Sequence, residues 1–451
     1  MKFSEYIPYY RRNLILAFPV ILSQLGQVSV SLVDNAMVGR VGTLELAAAS
    51  FANNVFMIGM IFGMGITFGI TPLAGQTYGK GEIRQTTQWL KNGIFTYLIA
   101  SVFLTLIMLA VYFLLPHLGQ TPEVTREAQP YYLWLCASMA PFIAFFTFKQ
   151  FFEGIGNTRM AMTITLASNA VNVFFNYLFI YGKWGFPELG LEGAGVGTFI
   201  SRLIMPLFFV LMVMRNSRYR KYLILAHVQK IRRNDILRLL KIGLPIAFQL
   251  IVEMLSFSIG AVMMGWLGVV ELAAHQVAIG LASFTYMISL GISTASTIRV
   301  SHMMGARDFR GMRNAANAAA HLVLTFMTLN ALMFVVLRYL LPQLFTADTA
   351  VIDLAAKLLV IAAVFQLFDG LQVVMLGILR GLADVKVPMF LAFIAYLIIG
   401  IPTSWVFAFP LELGPSGIWI GYLVGLGVAG ILFNIRFRKN LKSISAKSFP
   451  G

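Results

Sequence analysis

Long apolar runs alternate with short polar stretches along the whole chain. Mostly apolar segments cover 14–38, 47–72, 91–115, 131–152, 160–181 and 192–214. After a polar, basic stretch, six more cover 242–264, 273–298, 316–341, 351–379, 388–409 and 416–435. A helix needs roughly 20 apolar residues to cross the hydrocarbon of a bilayer. The strands of a membrane barrel would be shorter and would alternate apolar with polar residues. The pattern therefore predicts an all-α integral membrane protein with twelve transmembrane helices. Polar Met1–Arg12 leads into a long apolar run with no small-residue cleavage site, so the first run reads as a helix rather than a signal peptide.

The pattern repeats. At a shift of 226, Pro19 meets Pro245, Gly39 meets Gly265, and Glu45-Leu46-Ala47-Ala48 meets Glu271-Leu272-Ala273-Ala274. Gly65-Ile66 meets Gly291-Ile292, Thr71 meets Thr297, and Leu114-Leu115-Pro116 meets Leu340-Leu341-Pro342 in the same register. Glu188-Leu189-Gly190 meets Glu412-Leu413-Gly414 at a shift of 224. Six helices per half is an even number, so both halves enter the membrane from one side. That makes two parallel six-helix repeats, an arrangement that transporters use with the substrate path between lobes. The expected organisation is an N-lobe at 1–214, a basic cytoplasmic linker at 215–241, and a C-lobe with a basic tail at 242–451.

Charge orients this map. The 451 residues are 59% hydrophobic and 12% charged, against about 25% charged in soluble domains. The net charge of +16 would suggest nucleic acid in a soluble protein. With the N-terminus in the cytoplasm, however, 28 of the 34 Lys and Arg fall on the cytoplasmic side. The basic excess thus follows the positive-inside rule and calls for no nucleic-acid partner. Both termini are expected in the cytoplasm, with the chain in the plasma (inner) membrane. Cys136 lies in an apolar run and reads as a packing residue, and no His/Cys spacing suggests a metal site.

Of 18 acidic residues, three fall well inside apolar helices: Asp34, Glu253 and Asp369. A charge at the bilayer centre costs at least about 2.5–3.5 kcal/mol, so such residues face a protein interior or wet cavity and are functional candidates. Polar neighbours share their faces at helical spacing. Gln24, Gln27, Ser31 and Asp34 form one face, and Asn169, Asn172 and Asn176 another. Gln249, Glu253, Ser256 and Gly260 form a third, with Gln366, Asp369 and Gln372 a broader fourth. Hydrogen bonding that holds the bundle together is the alternative reading of these faces. The acids do not obey the repeat, for Asp34 meets Gly260 and Glu253 meets Gln27. A carboxyl in apolar surroundings holds a proton more readily than one in water, and when ionised it can bind Na⁺ with nearby amide oxygens. Either process can be linked to conformation, and a cationic substrate would compete for the same charge. Tyr286 and Phe368 are further candidates for a cavity lining. Arg202 lies inside a helix with no evident partner, and His275 reads as a packing residue. Pro19 and Pro245 fall early in their helices, where each can introduce a kink.

Several segments together carry a resemblance. They are Pro19-Val20-Ile21-Leu22, Val33-Asp34-Asn35-Ala36-Met37-Val38-Gly39, Leu46-Ala47-Ala48, Phe152-Glu153-Gly154-Ile155-Gly156-Asn157-Thr158, Gly243-Leu244-Pro245 and Leu379-Arg380-Gly381-Leu382-Ala383-Asp384. In that order, on a 6+6 repeat, the chain resembles the MATE (multidrug and toxic compound extrusion) family and looks most like its NorM branch. The resemblance covers essentially the whole chain. It implies a V-shaped pair of lobes that alternate access, and export of organic cations in exchange for Na⁺ or H⁺. It also implies a monomer among membrane lipids with no cofactor beyond the coupling ion, and a transporter rather than an enzyme. The family's first-helix acid matches Asp34, and the acids of its NorM-type cation site match Glu253 and Asp369, where Na⁺ would bind. Some members carry a second acid where Asn176 stands here. Asp34 with Asn172 and Asn176 is then a polar site for a proton or a cation. A flippase of lipid-linked precursors, another 6+6 transporter and an intramembrane enzyme remain alternatives. The acidic intramembrane charges speak against the first, and the absence of a Ser/His pair or phosphate loop speaks against the last.

Overall fold

A computed structural model describes residues 3–448, with side-chain surroundings for 5–444. Lys2 lies outside the described residues, as does the side chain of Lys447. Among the described residues there is no strand, and twelve helices are long and apolar enough to cross a membrane. In chain order they are Ile7–Gly39, Thr43–Gly79, Ile83–Tyr112, Pro122–Gly154, Thr158–Tyr181 and Gly190–Arg215, then Arg233–Leu267, Val269–Ala306, Phe309–Val336, Thr349–Gly381, Lys386–Ala408 and Gly414–Ile444. These match the twelve predicted runs in order. Most extend past the apolar residues, because helix continues into polar caps. The Asn157 side chain accepts from Met160 N at 3.3 Å, and that of Asp308 accepts from Gly311 N at 2.8 Å, satisfying first-turn N–H groups.

The basic stretch expected as a linker is mostly helical. Asn216 caps a short helix, Ser217–Val228, and residues from Arg233 onward already belong to the seventh span. The short helix packs on the third and sixth spans. Gln229 donates to Arg84 O and Thr87 Oγ1, both at 2.8 Å. Asn92 binds both sides of the following turn, donating to Asp235 at 3.1 Å and accepting from Arg232 N at 2.9 Å.

The chain divides into two compact units that are not its two sequence halves. One is Leu22–Ala247, and the other joins Met1–Ile21 to Phe248–Gly451. The chain changes unit two residues beyond each of the matched prolines, Pro19 and Pro245. Both helices continue through their prolines. In the second unit the beginning of the first span is held by Asn13, which donates to Ala315 O at 3.2 Å and accepts from Arg299 at 3.4 Å.

Three spans are irregular, each just before a proline. The second breaks at Phe68–Gly69, ahead of Pro72, and the fourth at Ser138, ahead of Pro141. The eleventh widens to a π-helix over Ile394–Gly400, ahead of Pro402. A proline cannot donate to the carbonyl four residues back, and its ring crowds that carbonyl.

The duplication read from sequence is built into each unit's packing. Gly154 packs on Thr71, and Gly381 on Thr297. Thr71 donates to Gln150 O at 3.0 Å, and Thr297 to Gly377 O at 2.7 Å. Gly193 packs on Phe179 as Gly417 does on Phe407.

Candidate functional site

In the Leu22–Ala247 unit, Asp34 is half-buried on the first span, and the fifth span brings amides to it. Asn176 Nδ2 donates to Asp34 Oδ1 at 2.8 Å and is 3.3 Å from Asn172 Oδ1. Asn172 in turn faces Thr198 Oγ1 of the sixth span at 3.5 Å. The backbones approach closely here, because a Cβ on Gly197 would strike Asn176 Oδ1. That oxygen is buried and accepts no hydrogen bond among the described residues. The cluster therefore offers hard oxygen donors around one carboxylate, the ligand type that suits an alkali cation rather than a transition metal. The predicted trio of Asp34, Asn172 and Asn176 is brought together. Gln24 and Gln27 share the face but make no hydrogen bond to Asp34 among the described residues.

One turn beyond Thr198, Arg202 finds the partners that sequence could not name. Its Nη1 donates to Ser138 Oγ at 2.7 Å, at the break in the fourth span before Pro141. Its guanidinium lies over Phe142 and Phe56, at 4.9 and 5.6 Å from the ring centroids. The negative faces of the rings attract the guanidinium electrostatically. Asp34 and Arg202 also lie within Coulombic reach of each other.

The other unit carries two acids on facing helices. Gln249 Nε2 is 3.4 Å from Glu253 Oε2, one turn along the seventh span. Tyr286 of the eighth span lies beside Glu253. On the tenth span, Gln372 Nε2 donates to Asp369 Oδ1 at 3.3 Å, and Tyr396 donates to Gln372 Oε1 at 2.7 Å. Gln366 is fully buried, and neither end of its amide has a partner among the described residues. A small pocket beside Glu253 is lined by Ser256, Phe257, Tyr396, Gly400, Tyr422 and Leu426. Tyr422 fills the space that a side chain at Gly260 would need, and donates to Phe257 O at 3.2 Å. Phe368 lies apart from this lining, against Gly427. His275 packs on Trp419 and Tyr422, and Cys136 is buried and free, both as packing residues.

Sequence reasoning missed several charges. The charge pattern places Arg380, Arg299 and Lys149 on the cytoplasmic side, yet they are only 9%, 6% and 4% exposed. Arg380 Nη2 donates to Gln249 Oε1 at 2.7 Å, which ties it to the Glu253 site. Lys149 pairs with Glu153 at 3.9 Å, both buried, so a fourth acid lies inside helix packing. The signal was there in retrospect, for Glu153 and Arg380 both fall in the segments that carry the family resemblance. Among the described residues, no three His, Cys, Asp or Glu side chains cluster as a metal site would.

The model of the MatE family matches residues 19–178 and 245–406, one match in each half. The chain belongs to the MatE family. A MatE protein with twelve spans is a multi-pass membrane protein of a transporter family. Its relatives include proteins named probable multidrug resistance protein NorM. That of Rhodopseudomonas palustris is 36% identical, over 95% of this chain and 91% of the relative. That of Bradyrhizobium diazoefficiens is 34% identical, over 94% and 92%. Among solved structures, the MATE transporter VcmN of Vibrio cholerae has a TM-score of 0.88 at 22% identity, over 98% of this chain and 99% of that one, a likeness of fold.

Proposed function

We propose that this MatE protein is a secondary active multidrug exporter that moves organic cations out of the cell in exchange for Na⁺ or H⁺ by alternating access. The observation that carries the reading is the placement of Asp34, Glu253 and Asp369 inside membrane-spanning helices, each hydrogen-bonded to a side-chain amide. Carboxylates kept at such depth cost too much to be idle packing. A coupling ion bound at Asp34 with Asn172, Asn176 and Thr198, or at Glu253 and Asp369, cancels that charge. A cationic drug that competes for the charge displaces the ion, and the gradient of one then drives movement of the other. The relatives' names agree with drug export. The basic side faces the cytoplasm of the plasma membrane, with both termini inside. The protein works as a monomer, surrounded by lipid and without a bound cofactor.

Ethidium efflux from proteoliposomes, with a Na⁺ gradient and a pH gradient imposed separately, tests this directly. Efflux driven by one gradient supports exchange and names the ion. No efflux under either gradient, from protein shown to be folded, overturns the multidrug reading and turns attention to lipid-linked substrates.

A further inference from the structure

Between positions 215 and 234 the chain carries seven Lys or Arg and no Asp or Glu. All seven are exposed, and none forms a salt bridge among the described residues. In the other unit, by contrast, Arg436 is paired with Asp384 at 2.6 Å. Blocks of like charge repel and are usually disordered. Here the backbone is held to the third and fourth spans. Tyr222 and Ala226 are buried and form the inner face of the helix Ser217–Val228. Tyr222 packs on Phe151 and Tyr219 on Phe152, each with ring centroids 5.8 Å apart. Gln88 of the third span donates to Lys230 O at 2.7 Å. The cations thus stand on a fixed scaffold.

The outer face of the same helix is not wholly polar. Ile224 and Val228, one turn apart, are 49% and 76% exposed. Arg220 and Lys221 stand four and three residues before Ile224, and so flank it on the helix surface. Exposed apolar side chains between cations suit a membrane–water boundary, where the apolar part meets acyl chains and the charges meet phosphates. The sixth span marks the level of that boundary. Its exposed ridge of Leu207, Leu211 and Met214 ends at Arg215, and the short helix begins two residues later.

We propose that this helix, through Arg215, Arg218, Arg220 and Lys221, is a docking surface for anionic phospholipids of the leaflet on the basic side, with Ile224 and Val228 at the acyl boundary. Charge complementarity selects the lipid. A zwitterionic headgroup brings its own cation to each phosphate, whereas an anionic one brings net negative charge to a basic cluster. Orientation by basic loops requires only charge on the right side. It requires neither a helix held in place nor apolar residues between the cations. Neither the exporter reading nor the coupling ion enters into this binding.

The test is native mass spectrometry of the full-length, detergent-solubilised protein, titrated with phosphatidylglycerol or with phosphatidylcholine of the same acyl chains. Wild type is expected to bind phosphatidylglycerol more tightly. Arg218→Gln/Arg220→Gln/Lys221→Gln should weaken phosphatidylglycerol roughly 10- to 100-fold and leave phosphatidylcholine unchanged, since each cation near an anionic surface contributes about fivefold. Arg438→Gln/Lys439→Gln/Lys442→Gln removes the same charge from the end of the twelfth span and should bind like wild type. Equal binding of the two lipids by wild type, equal loss in the two triple variants, or no loss in the first would each overturn the proposal. Should the first triple variant fail to fold, Ile224→Ser/Val228→Ser decides. It keeps every cation and should weaken phosphatidylglycerol about 3- to 10-fold, and unchanged binding would take the helix away from the lipid boundary. Glycerol phosphate at the same concentrations should not displace the lipid. Displacement would make the ligand a free phosphate and overturn the choice of a lipid.

Discussion

Glu153 and Arg380 occupy the same place in the two units. Each directly precedes a glycine that packs on a threonine, Gly154 on Thr71 and Gly381 on Thr297. One carries a negative charge, paired with Lys149, and the other a positive charge, tied to Gln249. The inversion extends deeper. Twelve residues before those glycines stand Phe142 and Asp369, and in the repeat register Met60 answers to Tyr286. Arg202 and Leu426 each follow a matched glycine by five residues, Gly197 and Gly421. Where one unit sets Arg202 among Met60, Phe142 and Ser138, the other sets Leu426 in a pocket beside Glu253. The acid of the first unit has no copy either, since the counterpart of Asp34 is Gly260, covered by the Tyr422 hydroxyl. Duplication preserved the backbone contacts between helices and left the polar side chains free to diverge. Backbone approach depends on small residues at fixed places, whereas a buried charge needs only one partner within reach.

The comparison can be broken at several points. The largest effect is expected at Lys149→Met, which strands the Glu153 charge in a dry site and should cost about 3–5 kcal/mol. Thermal unfolding in detergent would read it, and Lys149→Met/Glu153→Gln should recover most of the loss. If the single variant unfolds like wild type, the pair is not holding that unit together. Next come the acids. Glu253→Gln and Asp369→Asn should each lower gradient-driven ethidium efflux roughly 10- to 100-fold, as loss of a charged hydrogen-bonded partner does. Asp34→Asn should fall in the same range if both units take part. Full activity in Asp34→Asn would confine coupling to the two-acid unit, and full activity in both of the others would confine it to the one-acid unit. Smaller again is Gly197→Ala, whose methyl pushes Asn176 away from Asp34 at about 1–3 kcal/mol. The matched Gly421→Ala presses on Ser404, which donates to a backbone carbonyl at 3.1 Å, and should lower stability but leave ion dependence unchanged. Equal effects of the two on ion dependence would count against an Asn176 role. Thr198→Val is expected to be mildest, costing about 0.5–1.5 kcal/mol and weakening the half-saturating ion concentration a few-fold.

By itself the sequence determined the membrane class, the twelve spans, the internal repeat and the three intramembrane acids. These rest on local, additive quantities: the run of apolar residues needed to cross a bilayer, and the cost of a charge placed within it. It also put Asp34, Asn172 and Asn176 on faces able to meet, because helical period fixes which side chains share a face. The tertiary structure decided what stands opposite each face. Thr198 reaching Asn172, Tyr396 behind Gln372 and Ser138 under Arg202 all come from different helices, and no periodicity within one helix selects a partner on another. Arg380 shows the limit most directly. A cation in the last turn of an apolar helix reads as an anchor at the membrane surface whichever way it points. Only the tertiary structure brings Gln249 of the seventh span within 2.7 Å of its guanidinium.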